Sequence, residues 1–139
     1  LKIPSVTVPK NEFSEGLKVL EILREYQIDC IVLAGFLLRV PQSIIDAFPN
    51  KIINIHPALL PKFGGKGMYG DKVHKAVIEA GESHSGITIH YVNENYDEGS
   101  IIFQAKCEVE SSDTPESLAK KVHTLEYEHF PKEIERLWG

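Results

Sequence analysis

An asparagine and a histidine lie two residues apart at the end of a short apolar segment in mid-chain. The segment is residues 51–56, KIINIH. Side chains alternate between the two faces of a strand, so Asn54 and His56 leave the same face. An amide N–H can donate to a developing oxyanion, and an imidazole can donate or transfer a proton. The pair predicts a catalytic strand end, although a strand end in which backbone groups satisfy His56 explains the pattern as well.

A carboxylate that could act with this pair lies in the polar segment 93–99, NENYDEG. If Asp97 lies near His56, it favours the charged imidazole and can relay a proton. The competing interpretation is a turn-forming aspartate, because Asp before Gly is common in turns. The candidate catalytic set is therefore Asn54, His56 and Asp97.

Alternating apolar and helical patterns predict an α/β fold that positions these residues. We expect helices at 12–26, 41–48, 71–80 and 114–138, and strands at 28–35, 51–56, 88–92 and 101–107. The sheet is predicted to be mostly parallel and Rossmann-like, with an antiparallel C-terminal strand pair and a long C-terminal helix. In such sheets ligands bind beyond the carboxyl ends of the parallel strands, where Gly35 and His56 lie.

Composition limits the function classes. The 139 residues suit a single domain, and the formal net charge of −5 argues against nucleic-acid binding. No apolar run approaches the roughly 20 residues of a membrane span. Cys30 and Cys107 are isolated and predicted to be inert thiols in a reducing, cytoplasmic compartment.

Three other site types fit the sequence poorly. His123, Glu126 and His129 recur every three residues, but there is no HExxH spacing and no second ligand cluster, so we expect no metal. Residues 64–67, GGKG, lack the form of a phosphate-binding P-loop. No GxSxG nucleophile elbow is present either.

The run 54–61, NIHPALLP, resembles the Asn-x-His-Pro-Ser-Leu-Leu-Pro signature of the folate-dependent formyltransferases. The resemblance extends from Ile3 to about Pro131. The family's Asp-x-Gly-Pro segment is present as residues 97–100, DEGS, with Ser in place of Pro. The resemblance implies that the Asn, His and Asp identified above form the catalytic set, and that Asp97 holds His56 protonated.

The resemblance also implies a folate pocket. Residues 32–39, VLAGFLLR, are similar to the family's Leu-Ala-Gly-Phe-Met-Arg strand end, which walls the pterin pocket together with the segment matching 92–97. The arginine lies one place later here, so no side-chain role is assigned to Arg39. The implied folate-binding residues are Phe36, Leu37, Leu38, Val40, Val92, Asn93 and Glu94.

Substrate contacts are implied by two further matches. Lys62 and Phe63 match the Pro-Lys-Tyr/Phe that follows the signature, and Glu126 with Pro131 matches a Glu-x-x-x-x-Pro pattern of the glycinamide ribonucleotide enzymes. Lys62, Phe63 and Glu126 are therefore the expected substrate-binding residues. His74 is a weaker accessory candidate. Because the prolines at 57 and 61 enclose a stiff turn, we also expect a cis bond at Leu60–Pro61.

The implied reaction is direct transfer of a formyl group from 10-formyltetrahydrofolate to the amine of glycinamide ribonucleotide, in purine biosynthesis and without a metal. The small-molecule substrates are the expected partners, with no nucleic acid or membrane, for a monomer or homodimer. Alternatives are formyltetrahydrofolate deformylase, methionyl-tRNA formyltransferase and, in another class, an inactive folate-binding module.

Family members begin with a strand and a Gly-rich turn that hold the substrate phosphate through backbone N–H groups. Nothing before Ile3 resembles these elements, and the chain does not begin with Met. We therefore expect residues 1–139 to form one formyltransferase domain that lacks its N-terminal strands. A polypeptide of only this length is predicted to have little or no activity.

Overall fold

The computed structural model describes residues 2–139. Five helices and four strands are formed. The helices are α1 (Lys10–Glu15), α2 (Leu17–Glu25), α3 (Gln42–Ala47), α4 (Asp71–Glu79) and α5 (Pro115–Trp138). The strands are β1 (Ile31–Leu33), β2 (Ile52–His56), β3 (His84–Tyr91) and β4 (Ile101–Glu108).

The strands form one mixed sheet in the order β1-β2-β3-β4. β1 and β2 are parallel, whereas β2–β3 and β3–β4 are antiparallel. The predicted α/β class, antiparallel terminal pair and long C-terminal helix are confirmed. Parallel pairing among the described strands is confined to β1 and β2. A parallel strand after β2 would need α4 to carry the chain back to the end of the sheet where β2 begins. Instead β3 begins at the end where β2 finishes, because His56 pairs with Thr88 and Ile53 with Tyr91. The two strands are therefore antiparallel.

Helices cover both faces of the sheet. On one face, α4 and α5 bury Val73, Val77, Leu118 and Val122 against Ile87. On the other face, α2 and α3 pack against β2, where the buried residues are Leu20, Ile44 and Ile52. Burial of each such aliphatic side chain contributes roughly 1.5–3 kcal/mol. The strand ends that carry the polar residues are thus held between two packed layers.

The ends of several elements differ from the predicted ones. The helix predicted over 12–26 is two helices, because Gly16 adopts the left-handed conformation (φ 79°) and ends α1. Pro9 is the N-cap of α1. α5 begins as predicted, because Thr114 forms a capping box with Ser117, and it continues through Pro131.

Candidate active site

The end of β2 directs two polar side chains to one face of the sheet. Asn54 lies opposite His90 of β3, and His56 lies opposite Thr88. Directly opposed residues share a face, so the antiparallel pairing gathers four polar side chains on it. Ile53 and the intervening strand residues pack on the other side into the apolar core. The predicted common face of Asn54 and His56 is confirmed by this register.

His56 is held by contacts at both ring nitrogens. The side chain is buried, and Nε2 lies 2.7 Å from the backbone carbonyl oxygen of Phe63. Because a carbonyl only accepts, the proton of the neutral ring is on Nε2. Nδ1 lies 3.5 Å from Oδ1 of Asp97, a separation too long for a strong hydrogen bond. Phe63 adopts a positive φ of 58°, a conformation uncommon for a residue with a side chain.

Asp97 reaches the site from the loop between β3 and β4. Its Oδ1 lies 3.6 Å from Nε2 of His90, and its Oδ2 accepts a 3.0 Å hydrogen bond from the Gly65 amide. Burial alone would raise the pKa of Asp97, but the adjacent imidazoles of His90 and His56 and the hydrogen bond from the Gly65 amide together hold it below its ordinary 3.8. Asp97 is therefore an anion at neutral pH.

Burial and the neighbouring Asp97 act in opposite directions on the protonation expected of His56. Burial lowers the pKa of His56 below its ordinary 6.5, and this effect outweighs the opposing attraction of Asp97. A charged imidazole loses hydration in the interior, and a carboxylate 3.5 Å away does not replace it fully. His56 is thus neutral near neutral pH, with Nδ1 free to accept a proton beside a carboxylate.

His90 is a site residue that the sequence interpretation missed. Its Nδ1 lies 2.9 Å from the backbone carbonyl oxygen of Tyr91, to which it donates, so Nε2 is the acceptor of the neutral ring. Asn54 Nδ2 lies 3.2 Å from this Nε2 and donates one of its two protons to it. The other amide proton remains for a ligand. The sequence could have identified His90, because strand alternation within the predicted hairpin places residue 90 on one defined face of its strand. The register of β2 and β3 puts that face on the same side as Asn54.

A buried threonine fixes the turn that follows His56. Thr88 Oγ1 donates to the Ala58 carbonyl oxygen (2.7 Å) and accepts from the Leu60 amide (3.0 Å). Gln104 Nε2 donates to the Leu60 carbonyl oxygen at 2.9 Å. The Leu60–Pro61 bond is cis, as the sequence predicted. These contacts hold the turn against β3 and β4.

The three predicted catalytic side chains line one cavity of about 650 Å³. Its other walls are the end of β1, the glycine-rich segment 65–70 and the middle of α5. The candidate catalytic strand end, the Asp97 carboxylate and a ligand-sized cavity therefore coincide.

The predicted folate-binding residues lie in two adjoining places. Phe36 and Leu37 line the large cavity. A smaller cavity of about 50 Å³ adjoins Asn54 and His90, and its lining also includes Phe36, Leu38, Val40, Val92 and Asn93. Glu94 lies in the same loop, where its carbonyl oxygen accepts a 2.8 Å hydrogen bond from Arg39 Nε. Arg39, to which no role was assigned, therefore ties the β1 end to the loop that carries Asp97.

The predicted substrate-binding residues separate. Glu126 lines the large cavity, and burial raises the pKa of its carboxyl group. Lys62 instead forms a 3.0 Å ion pair with Glu82 and does not line that cavity. The Phe63 side chain packs on the apolar core, so its contribution to the site is the carbonyl oxygen that contacts His56.

The histidine and glutamate series on α5 also diverges. His123 and Glu126 line the cavity, whereas the ring of His129 packs 5.0 Å from that of Phe103. Within residues 2–139, no group of three or more His, Cys, Asp or Glu residues is arranged to hold a metal ion. No helix in this range is long and apolar enough to cross a membrane.

This fold and this strand end are those of a formyl transferase, and the chain belongs to that family, whose sequence profile matches residues 2–134. Among its relatives, the chloroplastic phosphoribosylglycinamide formyltransferase of Arabidopsis thaliana is 52% identical over 132 residues, which cover 91% of this chain and 44% of the relative. The phosphoribosylglycinamide formyltransferase of Bacillus subtilis is 38% identical over 121 residues, which cover 87% of this chain and 60% of the relative.

The crystal structure of phosphoribosylglycinamide formyltransferase from Bacillus halodurans superposes with a TM-score of 0.82 at 35% identity. The superposition covers 94% of this chain and 64% of that one. The chain spans about half the length of the plant relatives it matches, 44% and 45%.

Proposed function

We propose that the protein transfers a formyl group from 10-formyltetrahydrofolate to the amine of glycinamide ribonucleotide, with residues 1–139 as one formyltransferase domain. The observation that carries this proposal is the convergence of Asn54, His56 and Asp97 on one ligand-sized cavity. The names of the relatives support the acceptor. The reaction belongs to purine biosynthesis, and its chemistry requires no metal.

Asn54 stabilises the charge that develops on the formyl oxygen. When the amine adds to the formyl carbon, the carbonyl oxygen becomes an oxyanion. One Asn54 amide proton is fixed on His90, so the second points to a ligand without further reorganisation. Fixed donors of this kind are worth about 10²–10³ in rate.

His56 moves the proton that the reaction must relocate. Its free Nδ1 accepts the proton that the attacking amine loses, and Asp97 at 3.5 Å stabilises the imidazolium so formed. The imidazolium N–H first hydrogen-bonds the oxyanion. It then transfers its proton to the leaving nitrogen of the folate as the second C–N bond breaks. One C–N bond forms and one breaks, and the proton passes from the first nitrogen to the second.

The two substrates are assigned to different walls. The apolar residues after β1, Phe36 and Leu37, suit the flat ring system of the folate, as do Val40 and Val92 beside the smaller cavity. Glu126 on α5 offers carboxylate oxygens to hydroxyl groups of the ribonucleotide. Lys62 remains a proposed substrate residue, although its present partner is Glu82.

The deciding experiment measures three products with the complete polypeptide encoded by the gene. Formyl transfer to glycinamide ribonucleotide is expected, with formate released more slowly and no formylation of methionyl-tRNA. Formate as the main product would instead establish a deformylase, and formylated tRNA the tRNA enzyme. Folate binding without any product would leave a binding module. The cytoplasmic location and the monomer or homodimer state remain predictions for fractionation and sedimentation.

A further inference from the structure

His74 is a buried histidine that the mechanism does not use. Its side chain is 2% exposed, and its Nδ1 has no hydrogen-bond partner. The residue nevertheless lines the large cavity, on the wall that α4 and α5 form together. Buried polar atoms in folded proteins are nearly always paired, and leaving one unpaired costs about 1–3 kcal/mol. An unpaired imidazole in a cavity wall therefore has a hydrogen-bonding capacity that a molecule bound in the cavity can satisfy.

The packing around His74 holds the ring in place. Its neighbour Val73 and the next turn's Val77 are buried against Leu118 and Val122 of α5. The backbone of α4 is thus fixed by the core, and the imidazole at position 74 projects beside this contact into the cavity wall.

The charge of this wall identifies the kind of group that it takes. Burial lowers the pKa of His74, and nearby His123 lowers it further, so the ring is neutral and offers one donor and one acceptor. Glu126 on the same wall offers only acceptors when ionised. A phosphate would be repelled by this carboxylate, whereas a hydroxyl group can both donate and accept. The wall thus suits neutral, hydroxyl-bearing chemistry.

We propose that His74 is a positioning residue that hydrogen-bonds the sugar hydroxyl region of the acceptor substrate. This inference rests on the proposed function. It assigns the residue to the acceptor and not to the folate, because the walls proposed for the folate are apolar and lie after β1, whereas His74 lies with Glu126 on the α4–α5 side.

The test compares His74→Phe, which fills the space without polar atoms, with His74→Asn, which keeps a donor and an acceptor. In the complete polypeptide, H74F should raise KM for glycinamide ribonucleotide about tenfold, the loss typical of one hydrogen bond. Its kcat and its KM for 10-formyltetrahydrofolate should stay within about threefold, and H74N should recover most of the loss. His84→Asn is the matched control, because His84 is exposed at the far end of β3.

An unchanged acceptor KM in H74F would overturn the assignment, and so would a rise confined to the folate KM. If H74F does not fold, nitrogen-15 NMR of the wild-type imidazole replaces it. Saturating glycinamide ribonucleotide should shift the His74 nitrogen resonances, and unmoved resonances would refute the contact. A wild-type protein that shows this shift but makes no formylated product would refute the proposed function alone.

Discussion

Oδ1 of Asp97 lies 3.5 Å from Nδ1 of His56, while the opposite ring nitrogen of that histidine is committed to the Phe63 carbonyl at 2.7 Å. The unequal distances fix the tautomer of His56, with its proton on Nε2. They also leave the basic nitrogen next to an anion that stabilises the ring once it gains a proton. In the proposed reaction, this arrangement lets His56 accept a proton during turnover.

Replacing the carboxylate tests this arrangement. Asp97→Asn should lower kcat by about 100-fold, within the range of lost acid–base assistance. Asp97 raises the pKa of His56 against the effect of burial, so its loss should lower that pKa further. Since the neutral ring is the active base, the acid limb of kcat against pH should move to lower pH. Asp46→Asn is the control, because Asp46 is exposed on α3, and a shared loss of rate would argue against a specific role.

Removing the oxyanion donor tests the second half of the mechanism. Asn54→Ala should reduce kcat by about 10²–10³, because one preorganised donor is lost. His56→Ala should cost at least about 100-fold by removing the base. Steady-state formyl transfer measures both effects, and circular dichroism checks that the fold is kept. A folded variant with near-normal turnover would refute the assigned role.

His90 gives a prediction that separates positioning from contact with substrate. Its Nε2 accepts a 3.2 Å hydrogen bond from Asn54 Nδ2 and lies 3.6 Å from Oδ1 of Asp97. His90→Phe should free both side chains and lower kcat by about 10- to 100-fold, with both KM values nearly unchanged. His90→Gln keeps an acceptor and should restore part of the rate. Equal losses in the two variants would show that ring packing, and not the hydrogen bond, is what matters.

The sequence was most informative where one period or one motif decides the geometry. Strand alternation placed Asn54 and His56 on one face, and the proline-bounded turn identified the cis bond at Leu60–Pro61. The sequence was least informative where contacts with a residue from a distant element determine the state or the position of a side chain. Whether burial or Asp97 has the larger effect on the pKa of His56 depends on how the side chains pack. Lys62, which was expected to contact substrate, forms an ion pair with Glu82.

Local conformational details also escaped prediction. The helical pattern over 12–26 is continuous in its apolar positions, but Gly16 tolerates a positive φ and ends the first helix. The contribution of Phe63 is a backbone carbonyl oxygen presented by a positive φ, which no side-chain pattern records. The role of His90 required the register of β2 against β3, which is set by the whole hairpin.

Thr88 predicts a stability effect separate from catalysis. Its hydroxyl group is buried and bonds the Ala58 carbonyl and the Leu60 amide. Thr88→Val keeps the shape but leaves these groups unpaired, so the free energy of unfolding should fall by about 1–3 kcal/mol. The matched control is Thr124→Val on the exposed side of α5, whose bond lies within the helix; it should change the value by less than about 0.5 kcal/mol. Urea denaturation measures the free energy of unfolding of both variants. Equal decreases in the two would contradict the proposal that the Thr88 hydroxyl group stabilises the turn.

The buried histidines predict how stability depends on pH. Burial lowers the pKa values of His56 and His74 in the folded state below the ordinary 6.5. The unfolded chain therefore binds protons first as the pH falls, and the free energy of unfolding should decrease below about pH 6.5. Above that pH, both groups are neutral in both states and the contribution is complete. His74→Asn should make the decline between about pH 7 and pH 5 shallower in denaturant titrations, whereas His84→Asn, whose side chain is exposed, should keep the wild-type slope. A His74→Asn slope equal to that of the wild type would mean that the imidazole takes up protons equally in the folded and unfolded chains.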